Sequence, residues 1–392
     1  MSDSKKLFER SPWASFFALK TNYLKIVITI LSLQLICYNT HATYKNKIGK
    51  IDRSTWPYSI NTASKFDFAS KMEMLVFSLE LEKAEKIEHI DSLKKYLKLK
   101  SVNKNSIKKY VKHIKTKILH NFLKLKISSA DNHIKTASIT CWKDIIKEAK
   151  ILKPKLNSNL KLWHHQSSIF YARYVYEQLR LAALFPRITS EILKLDQSEQ
   201  SGIDFKDKHF LLTFDDGPTR NNGNTDKLIK LLEQNNKNGL FFVLGKNFKN
   251  RLKLNGKTNL INLYKNVEVG SHGLIHKVHP KYNLWKSSIS STHSLIKSTL
   301  NKNVRYFRPP YGQRNKQMVD FLKQKKQSVM LWNIDSQDWN SKINSNEVAD
   351  RIISLMLLWR NGIILFHDIH SKAQFALPII WNKLGKSGIN WK

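Results

Sequence analysis

Short apolar segments alternate with longer polar stretches in the second half of the chain, and this alternation restricts the fold more than any other feature. The six segments read HFLLTF, GLFFVLG, VEVGSH, RYFRPP, SVMLWNID and GIILFHD. Each has the length of one strand, and the intervening stretches have the length and pattern of helices. Regular strand–helix alternation is typical of a parallel α/β sheet or a (β/α) barrel.

Polar residues of the kinds used in catalysis follow these segments. They are Asp215, Asp216, His272, His276, Arg308, Asp335, Asp338 and His367. In α/β barrels the functional residues gather at the carboxyl ends of the strands. Each residue alone has a structural interpretation, such as a core histidine or a surface ion pair. Their repetition at successive strand ends favours an active site.

Asp215 and Asp216 are adjacent, so their carboxylates repel each other unless a cation lies between them. His272 and His276 have the i, i+4 spacing that places two side chains on the same face of one helical turn, where they can share a metal ion. One of the aspartates would complete a two-histidine, one-carboxylate site, and the other would accept a proton from water. Non-haem iron oxygenases use the same ligand set, so spacing alone does not exclude an oxygenase site.

Five motifs occur in a fixed order, namely TFDDGP, SHGLIH, RPPYG, DSQDW and LFH. In order and spacing they resemble those of the polysaccharide deacetylases, the NodB-homology, chitin-deacetylase-like carbohydrate esterases. The resemblance covers the chain from about Lys208 to its C-terminal end. It implies a distorted, incomplete (β/α) barrel that removes N-acetyl groups from the amino sugars of a cell-envelope or extracellular polysaccharide. It also implies a divalent metal, Zn2+ before Co2+, Mn2+, Fe2+ or Ni2+.

The resemblance assigns a role to each matching residue near the metal. Asp216, His272 and His276 would be the metal ligands. Asp215 would be the general base, and Arg308 would hold it in place.

Further roles follow from the same resemblance. Asp338 would tune His367, the general acid that protonates the departing amine. The backbone N–H of Tyr311 would stabilise the oxyanion together with the metal. Trp339 and Leu365 would line the pocket for the acetyl methyl group.

The second motif departs from the family pattern, which usually has Ser or Thr after the first histidine and Pro after the second. Gly273 and Lys277 occupy these positions, and a His-Pro pair occurs only at residue 279. Pairing His276 with His279 would give i, i+3 spacing, so His272 and His276 are the preferred pair. The missing hydroxyl is expected to loosen the loop or alter the metal preference.

Two other functions are compatible with these residues. An O-acetyl esterase acting on polysaccharide would use the same machinery. A non-catalytic envelope glycan-binding protein would retain the barrel without its activity and bind anionic polymer through its basic helices.

The first half of the chain shows helical patterning and carries no motif that we can assign. One predicted helix has an apolar face formed by Ile107, Tyr110, Val111, Ile114, Ile118, Phe122 and Leu123. A second, FYARYVYEQLRLAALF, is expected to end before Pro186, and TSEILKL to begin a short one. Four aromatics of this region are predicted to be core residues, namely Trp163, Phe170, Tyr171 and Tyr174. The predicted organisation is an all-helical domain at 43–195, a linker at 196–207 and a catalytic domain at 208–392.

The N-terminus has the pattern of an export signal. The apolar run IVITILSLQLICY is preceded by Lys5, Lys6, Arg10 and Lys20, and THA, ending at Ala42, offers a cleavage site. Residues 1–42 are therefore predicted to be a signal peptide, with an uncleaved membrane anchor as the alternative. Lipidation at Cys37 is disfavoured because Ile36 stands where a small residue is expected. The expected location is the periplasm or the cell envelope.

The composition is strongly basic, with 67 Lys and Arg against 30 Asp and Glu, a net charge of +37. Such a surface favours anionic envelope polymers or a membrane surface. Nucleic acid is a disfavoured partner, since the basic helices show no recognition-helix or zinc-finger signature. Two cysteines are too few for a disulfide framework.

Overall fold

A computed structural model describes residues 48–125 and 139–392, so the predicted signal segment at 1–42 lies outside the described residues. Ile48–Lys392 form one compact unit. Its helices are α1 (Ala63–Glu85), α2 (Ile90–Leu97), α3 (Lys104–Leu123), α4 (Trp142–Lys155), α5 (Ser158–Leu184), α6 (Asn224–Gln234), α7 (Gly245–Leu263), α8 (Trp285–Leu300), α9 (Lys316–Gln324), α10 (Ser345–Trp359) and α11 (Lys372–Leu384). Its strands are β1 (His209–Asp215), β2 (Leu240–Val243), β3 (Glu268–Ser271), β4 (Tyr306–Phe307), β5 (Ser328–Val329), β6 (Ile334–Asp335), β7 (Gly362–His367) and β8 (Asn390–Trp391).

The strands form one parallel sheet in the order β5-β4-β3-β2-β1-β7-β6, and β8 pairs with the first two residues of β1. A helix follows most of the strands, as a parallel sheet requires. The predicted α/β class is confirmed.

The sheet curls because its two outer strands are joined by a very short connection. β5 and β6 lie at opposite edges, yet only Met330–Asn333 separate them. Four residues reach at most about 14 Å, whereas seven strands laid flat would span about 29 Å. The edges must therefore approach each other, which gives the predicted incomplete barrel. The prediction of one strand over SVMLWNID was wrong, since the segment contributes a short strand to each edge.

Alternation along β1 directs its side chains to two sides. Phe210, Leu212 and Phe214 belong to the large core shared with the helices. Leu211 packs against the smaller cluster inside the barrel. Because side chains in a strand alternate, Thr213 and Asp215 face the same way as Leu211, towards the interior.

The first-half helices pack on the outside of the barrel around α10. All residues from Val348 to Trp359 in α10 are buried, and the helix lies between α11 on one side and α1 and α3 on the other. Tyr171 in α5 donates a hydrogen bond to the Ser354 carbonyl, and the Trp359 indole donates one to the Tyr174 hydroxyl. The four aromatics predicted as core are all buried.

Two local predictions in this region need correction. The apolar face of α3 is buried as expected except for Leu123, which is 53% exposed in the last turn of the helix. The segment TSEILKL forms turns and no helix. Its Ser190 and Leu193 carbonyls accept hydrogen bonds from the Arg314 guanidinium, which replace the bonds that a helix would supply.

The segment predicted as a linker is packed against the barrel. Glu199 is 1% exposed and forms a buried ion pair with Arg314. Gln200 pairs with the β5 edge through its backbone, to Val329 and Leu331. The division at 196–207 into two domains stays a prediction. Among the described helices, none is long and apolar enough to cross a membrane.

A truncation tests whether the predicted catalytic domain folds alone. A fragment of residues 208–392 lacks α1 and α5 and leaves one side of α10 uncovered, so we expect it to aggregate. Residues 48–392 should instead be soluble and unfold cooperatively. Size-exclusion chromatography and thermal unfolding monitored by circular dichroism compare the two. A monomeric 208–392 fragment with a sharp transition would show that the domain is autonomous.

Candidate active site

The predicted site residues meet at the carboxyl ends of the strands. Asp215 ends β1, and His367 ends β7 directly beside it in register. His272 follows β3, and Arg308 follows β4. Side chains at the same level of neighbouring parallel strands lie on the same face, so Asp215 and His367 both face the barrel mouth.

Asp216, His272 and His276 form a cluster with the dimensions of a metal site. Their nearest ligand atoms all lie within 4.8 Å of one another. The Asp216 Oδ1 atom is 3.5 Å from His272 Nε2 and 3.7 Å from His276 Nε2. This oxygen is buried and has no hydrogen-bond partner among the described residues. A buried carboxylate oxygen without a partner is costly, and a cation between the three groups would remove that cost.

The histidines present the form that binds metals. His272 Nδ1 lies 2.7 Å from the Arg308 carbonyl, which can only accept, so Nδ1 carries the proton and the Nε2 lone pair faces Asp216. Burial, together with the neighbouring His276, holds the pKa of His272 well below its usual value. Burial also lowers the pKa of His276, against the opposing charge of Asp216. Two neutral imidazoles and one carboxylate fit a divalent ion such as Zn2+.

The two histidines do not share a helical turn, and that prediction was wrong. Residues 272–278 form an irregular loop after β3. Gly273 has a φ of +84°, which reverses the chain so that His276 returns beside His272. Their ring centroids are 5.1 Å apart.

A left-handed backbone at Asp216 explains how two adjacent aspartates serve one site. Side chains of successive strand residues normally point to opposite faces. Asp216 has a φ of +83°, a strained value for a residue with a side chain. The next residue must be glycine, because a Cβ on Gly217 would lie 1.9 Å from the Asp368 carboxylate. Asp368 is buried and accepts a hydrogen bond from Thr225.

Arg308 holds Asp215 from inside the barrel. Its guanidinium donates to Asp215 Oδ1 at 2.8 Å and to the Thr213 hydroxyl at 2.7 Å. It also donates to the Met330 and Leu331 carbonyls and lies 4.2 Å from the centre of the Phe242 ring. Four of the five N–H groups of the guanidinium therefore have acceptors, which fixes its position and with it the orientation of Asp215.

The second oxygen of Asp215 faces the cluster of Asp216, His272 and His276. Asp215 Oδ2 lies 3.9 Å from His272 Nε2. Burial raises the pKa of Asp215 to about 6, against the lowering effect of the Arg308 and His367 charges. The group is thus a stronger base than a solvated carboxylate and is still largely ionised at neutral pH.

His367 is oriented and charged by Asp338. The two Asp338 oxygens accept from His367 Nδ1 at 2.8 Å and from the His367 backbone N–H at 2.9 Å. Burial opposes the positive charge, but Asp338, with Asp215 and Asp216 further away, raises the pKa of His367 to about 10. The imidazole keeps its proton at neutral pH and directs Nε2 away from Asp338.

The three predicted substrate-contacting residues differ in exposure. Tyr311 is 56% exposed, has a left-handed φ of +59°, and its ring lies 4.5 Å from the His276 ring. Trp339 is 50% exposed in the loop after β6. Leu365 is 4% exposed in β7, where it pairs with Asp335 and Thr213.

Sequence reasoning missed several residues that support the site. Arg314 fixes the loop of Tyr311 to the preceding segment, since it donates to the Gly312 carbonyl as well as to Glu199. Thr213 is a polar residue in an otherwise apolar strand, which is a usable signal for an interior contact. Glu199 carried no signal at all, because its partner lies 115 residues away.

The fold and the site together define an incomplete α/β barrel with a two-histidine, one-carboxylate centre. Residues 202–329 match the family model described as polysaccharide deacetylase. This match confirms, for the matched segment, the family resemblance that the motifs predicted. The motifs DSQDW and LFH lie beyond the matched range but on the same sheet.

Curated relatives include two bacterial enzymes. Peptidoglycan-N-acetylmuramic acid deacetylase PdaC of Bacillus subtilis is 30% identical over 200 residues, covering 50% of this chain and 40% of that protein. A peptidoglycan-N-acetylglucosamine deacetylase of Bacillus cereus is 28% identical over 223 residues, covering 53% of this chain and 77% of the relative. The chain thus spans less than half the length of the first relative.

Solved structures with a similar fold include a peptidoglycan N-acetylglucosamine deacetylase. It is 22% identical with a TM-score of 0.44, covering 49% of this chain and 89% of its own. A CE4 family pseudoenzyme from Bacillus anthracis is 21% identical with a TM-score of 0.44, covering 50% of this chain and 67% of its own.

Replacing Arg308 tests its structural role. Arg308→Met leaves Asp215 and two carbonyls without their buried donor, so we expect a loss of about 3–5 kcal/mol in the free energy of unfolding. Arg305→Met is the matched control, because its pair with Glu268 is exposed and should cost less than about 1 kcal/mol. Urea unfolding measures both. Equal losses in the two variants would contradict the assigned role.

Proposed function

We propose that the protein hydrolyses the N-acetyl groups of amino sugars in a cell-envelope or extracellular polysaccharide and releases acetate. The observation that carries the proposal is the meeting of the Asp216-His272-His276 cluster with the buried Asp215–Arg308 pair at one barrel mouth. Relatives named as peptidoglycan and chitin deacetylases support this substrate class.

Asp216, His272 and His276 would hold a divalent ion, for which Zn2+ best suits two neutral imidazoles and a carboxylate, with Co2+, Mn2+, Fe2+ or Ni2+ as alternatives. When bound, such an ion polarises the acetyl carbonyl and makes water more acidic. All further steps use groups of the chain.

Asp215 is proposed as the general base. Arg308 occupies its Oδ1 atom, so Oδ2 is the atom that takes the proton from the attacking water. Removal of this proton allows the water oxygen to bond to the acetyl carbon. The raised pKa of Asp215, about 6, strengthens it as a base near neutral pH.

His367 is proposed as the general acid. The amine of a sugar is a poor leaving group until it gains a proton, and His367 Nε2 can supply one because Asp338 keeps the ring charged. The C–N bond then breaks, and the products are acetate and a free amino sugar. The base and the acid end neighbouring strands, so they can act on the same substrate.

Tyr311, Trp339 and Leu365 are proposed to position the acetyl group. The backbone N–H of Tyr311 would stabilise the tetrahedral oxyanion. The exposed Trp339 ring and the buried Leu365 side chain would enclose the methyl group.

The proposed setting is outside the cytoplasm, in the periplasm or cell envelope. The basic-then-apolar pattern of residues 1–42 supports export, with the segment either cleaved or kept as an anchor. The net charge of +37 supports association with anionic envelope polymers or a membrane surface.

Replacing each adjacent aspartate by asparagine separates their roles. Asp215→Asn should lose acetate release by at least about 100-fold while zinc still binds, because a base contributes about 10²–10⁴-fold. Asp216→Asn should lose zinc as well as activity. Acetate release and bound zinc are measured on the same samples, with N-acetylglucosamine oligomers as substrate. Full activity in Asp215→Asn would refute its role as the base.

The same assay distinguishes the alternative functions. Release from O-acetylated xylan with none from the amide substrate would identify an esterase. Absence of both zinc binding and turnover in the wild-type protein would indicate a glycan-binding protein without catalysis.

The pH profile tests the His367–Asp338 pair. Because Asp338 raises the pKa of His367, Asp338→Asn should lower it, and the acid form should be lost at a lower pH. The alkaline limb of kcat is therefore expected to move to lower pH. Asp320→Asn, at an exposed surface position, is the control and should leave the profile unchanged. An unmoved alkaline limb in Asp338→Asn would argue against His367 as the acid.

A further inference from the structure

The loop that carries His272 and His276 has no regular secondary structure, so its shape depends on contacts from outside. His272 is held through its Nδ1 atom by Arg308. Beyond it, the backbone of the loop is held chiefly by α7 and α8. A third histidine, His279, is not one of the proposed ligands and packs against this loop at Gly273.

His279 is completely buried and linked at both ring nitrogens. Nδ1 lies 2.9 Å from the Lys277 carbonyl, and Nε2 lies 3.0 Å from the Ser288 hydroxyl in α8. The ring also packs edge-on against Phe307 of β4, with centroids 5.5 Å apart. His279 thus connects the metal-binding loop to both a helix and the sheet.

The hydrogen atoms in this network can be assigned. A carbonyl only accepts, so His279 Nδ1 donates to Lys277 and Nε2 must accept from the Ser288 hydroxyl. The Ser288 oxygen in turn accepts from the Leu274 N–H at 2.8 Å. A continuous chain of hydrogen bonds therefore runs from Leu274 through Ser288 and His279 to Lys277. It ties the two halves of the loop together just behind the ligands.

The glycine at position 273 is required by the same arrangement. A Cβ there would lie 2.7 Å from His279 Cε1 and Nε2, and the φ of +84° disfavours any side chain. The place where the second motif usually has a hydroxyl is thus filled by an imidazole, and Ser288 supplies a hydroxyl from another element. Gly273, His279 and Ser288 form one interdependent set.

We propose that His279 and Ser288 are positioning residues that fix the conformation of the metal-binding loop. They do so instead of a side chain at position 273, where glycine has none. The inference rests on the proposed function only in its assignment of His272 and His276 as metal ligands. It predicts an effect on metal affinity that a buried histidine with a purely packing role would not produce.

Zinc affinity of the full chain tests the proposal, measured by competition with a chelator. His279→Phe keeps the ring but removes both hydrogen bonds, and Ser288→Ala removes the link to Leu274. Each should weaken zinc binding by about 10–100-fold, as expected for groups that orient ligands. His293→Phe is the matched control, since His293 is a buried histidine of α8 whose Nε2 atom has no hydrogen-bond partner among the described residues.

A double substitution tests the shared space. Gly273→Ser alone should weaken zinc binding, and adding His279→Ala should recover part of the loss because the ring no longer occupies the position of the new side chain. Strictly additive losses would contradict the assigned interdependence.

The outcomes separate this inference from the proposed function. Wild-type zinc affinity in folded His279→Phe and Ser288→Ala would overturn the inference, as would an equal loss in His293→Phe or no zinc binding by the wild-type protein. Zinc-loaded wild-type protein that releases no acetate would refute the proposed function while the affinity differences still supported the positioning role. Thermal melting of each variant identifies any that fail to fold. Ser288→Ala is the smallest change, so it still tests the proposal if His279→Phe does not fold.

Discussion

The buried guanidinium of Arg308 is the interaction on which the rest of the site depends. It makes four hydrogen bonds, to Asp215, Thr213 and the carbonyls of Met330 and Leu331. Its own backbone carbonyl orients His272. One residue therefore holds the proposed base, sets the tautomer of a proposed metal ligand and donates to the carbonyls of the short connection that closes the barrel. A lysine could not replace it, because only the planar fork reaches all four acceptors.

Two of the charged groups in the site are each paired with an opposite charge. Asp215 is matched by Arg308 and His367 by Asp338, each within 2.8 Å. Asp216 has a buried oxygen with no hydrogen-bond partner among the described residues. The same cluster contains two imidazoles that burial keeps neutral. The repulsion between the adjacent aspartates is thus relieved by Arg308 at Asp215 and by a position suited to a cation at Asp216.

The sequence predicted the class of fold correctly, and the residues it singled out lie together at the strand ends, because both features depend on patterns local to each strand. An apolar run followed by polar residues needs only a few neighbouring letters to be recognised. The errors arose where distant contacts decide the backbone. His272 and His276 were expected on a helical turn, but the left-handed Gly273 and the His279 ring make that segment a loop. TSEILKL was expected to be helical, but Arg314 takes its carbonyls.

The sequence by itself determined that the second half is a parallel α/β structure with polar side chains of the kinds used in catalysis at its strand ends, since alternation and residue type are properties of the linear chain. Only the tertiary structure decided how the strands close, because the four residues Met330–Asn333 join opposite edges of the sheet. It also decided that the first half packs on α10 and that Glu199 meets Arg314. These contacts join residues far apart in the chain, and no local pattern encodes which of many buried surfaces or charges will meet.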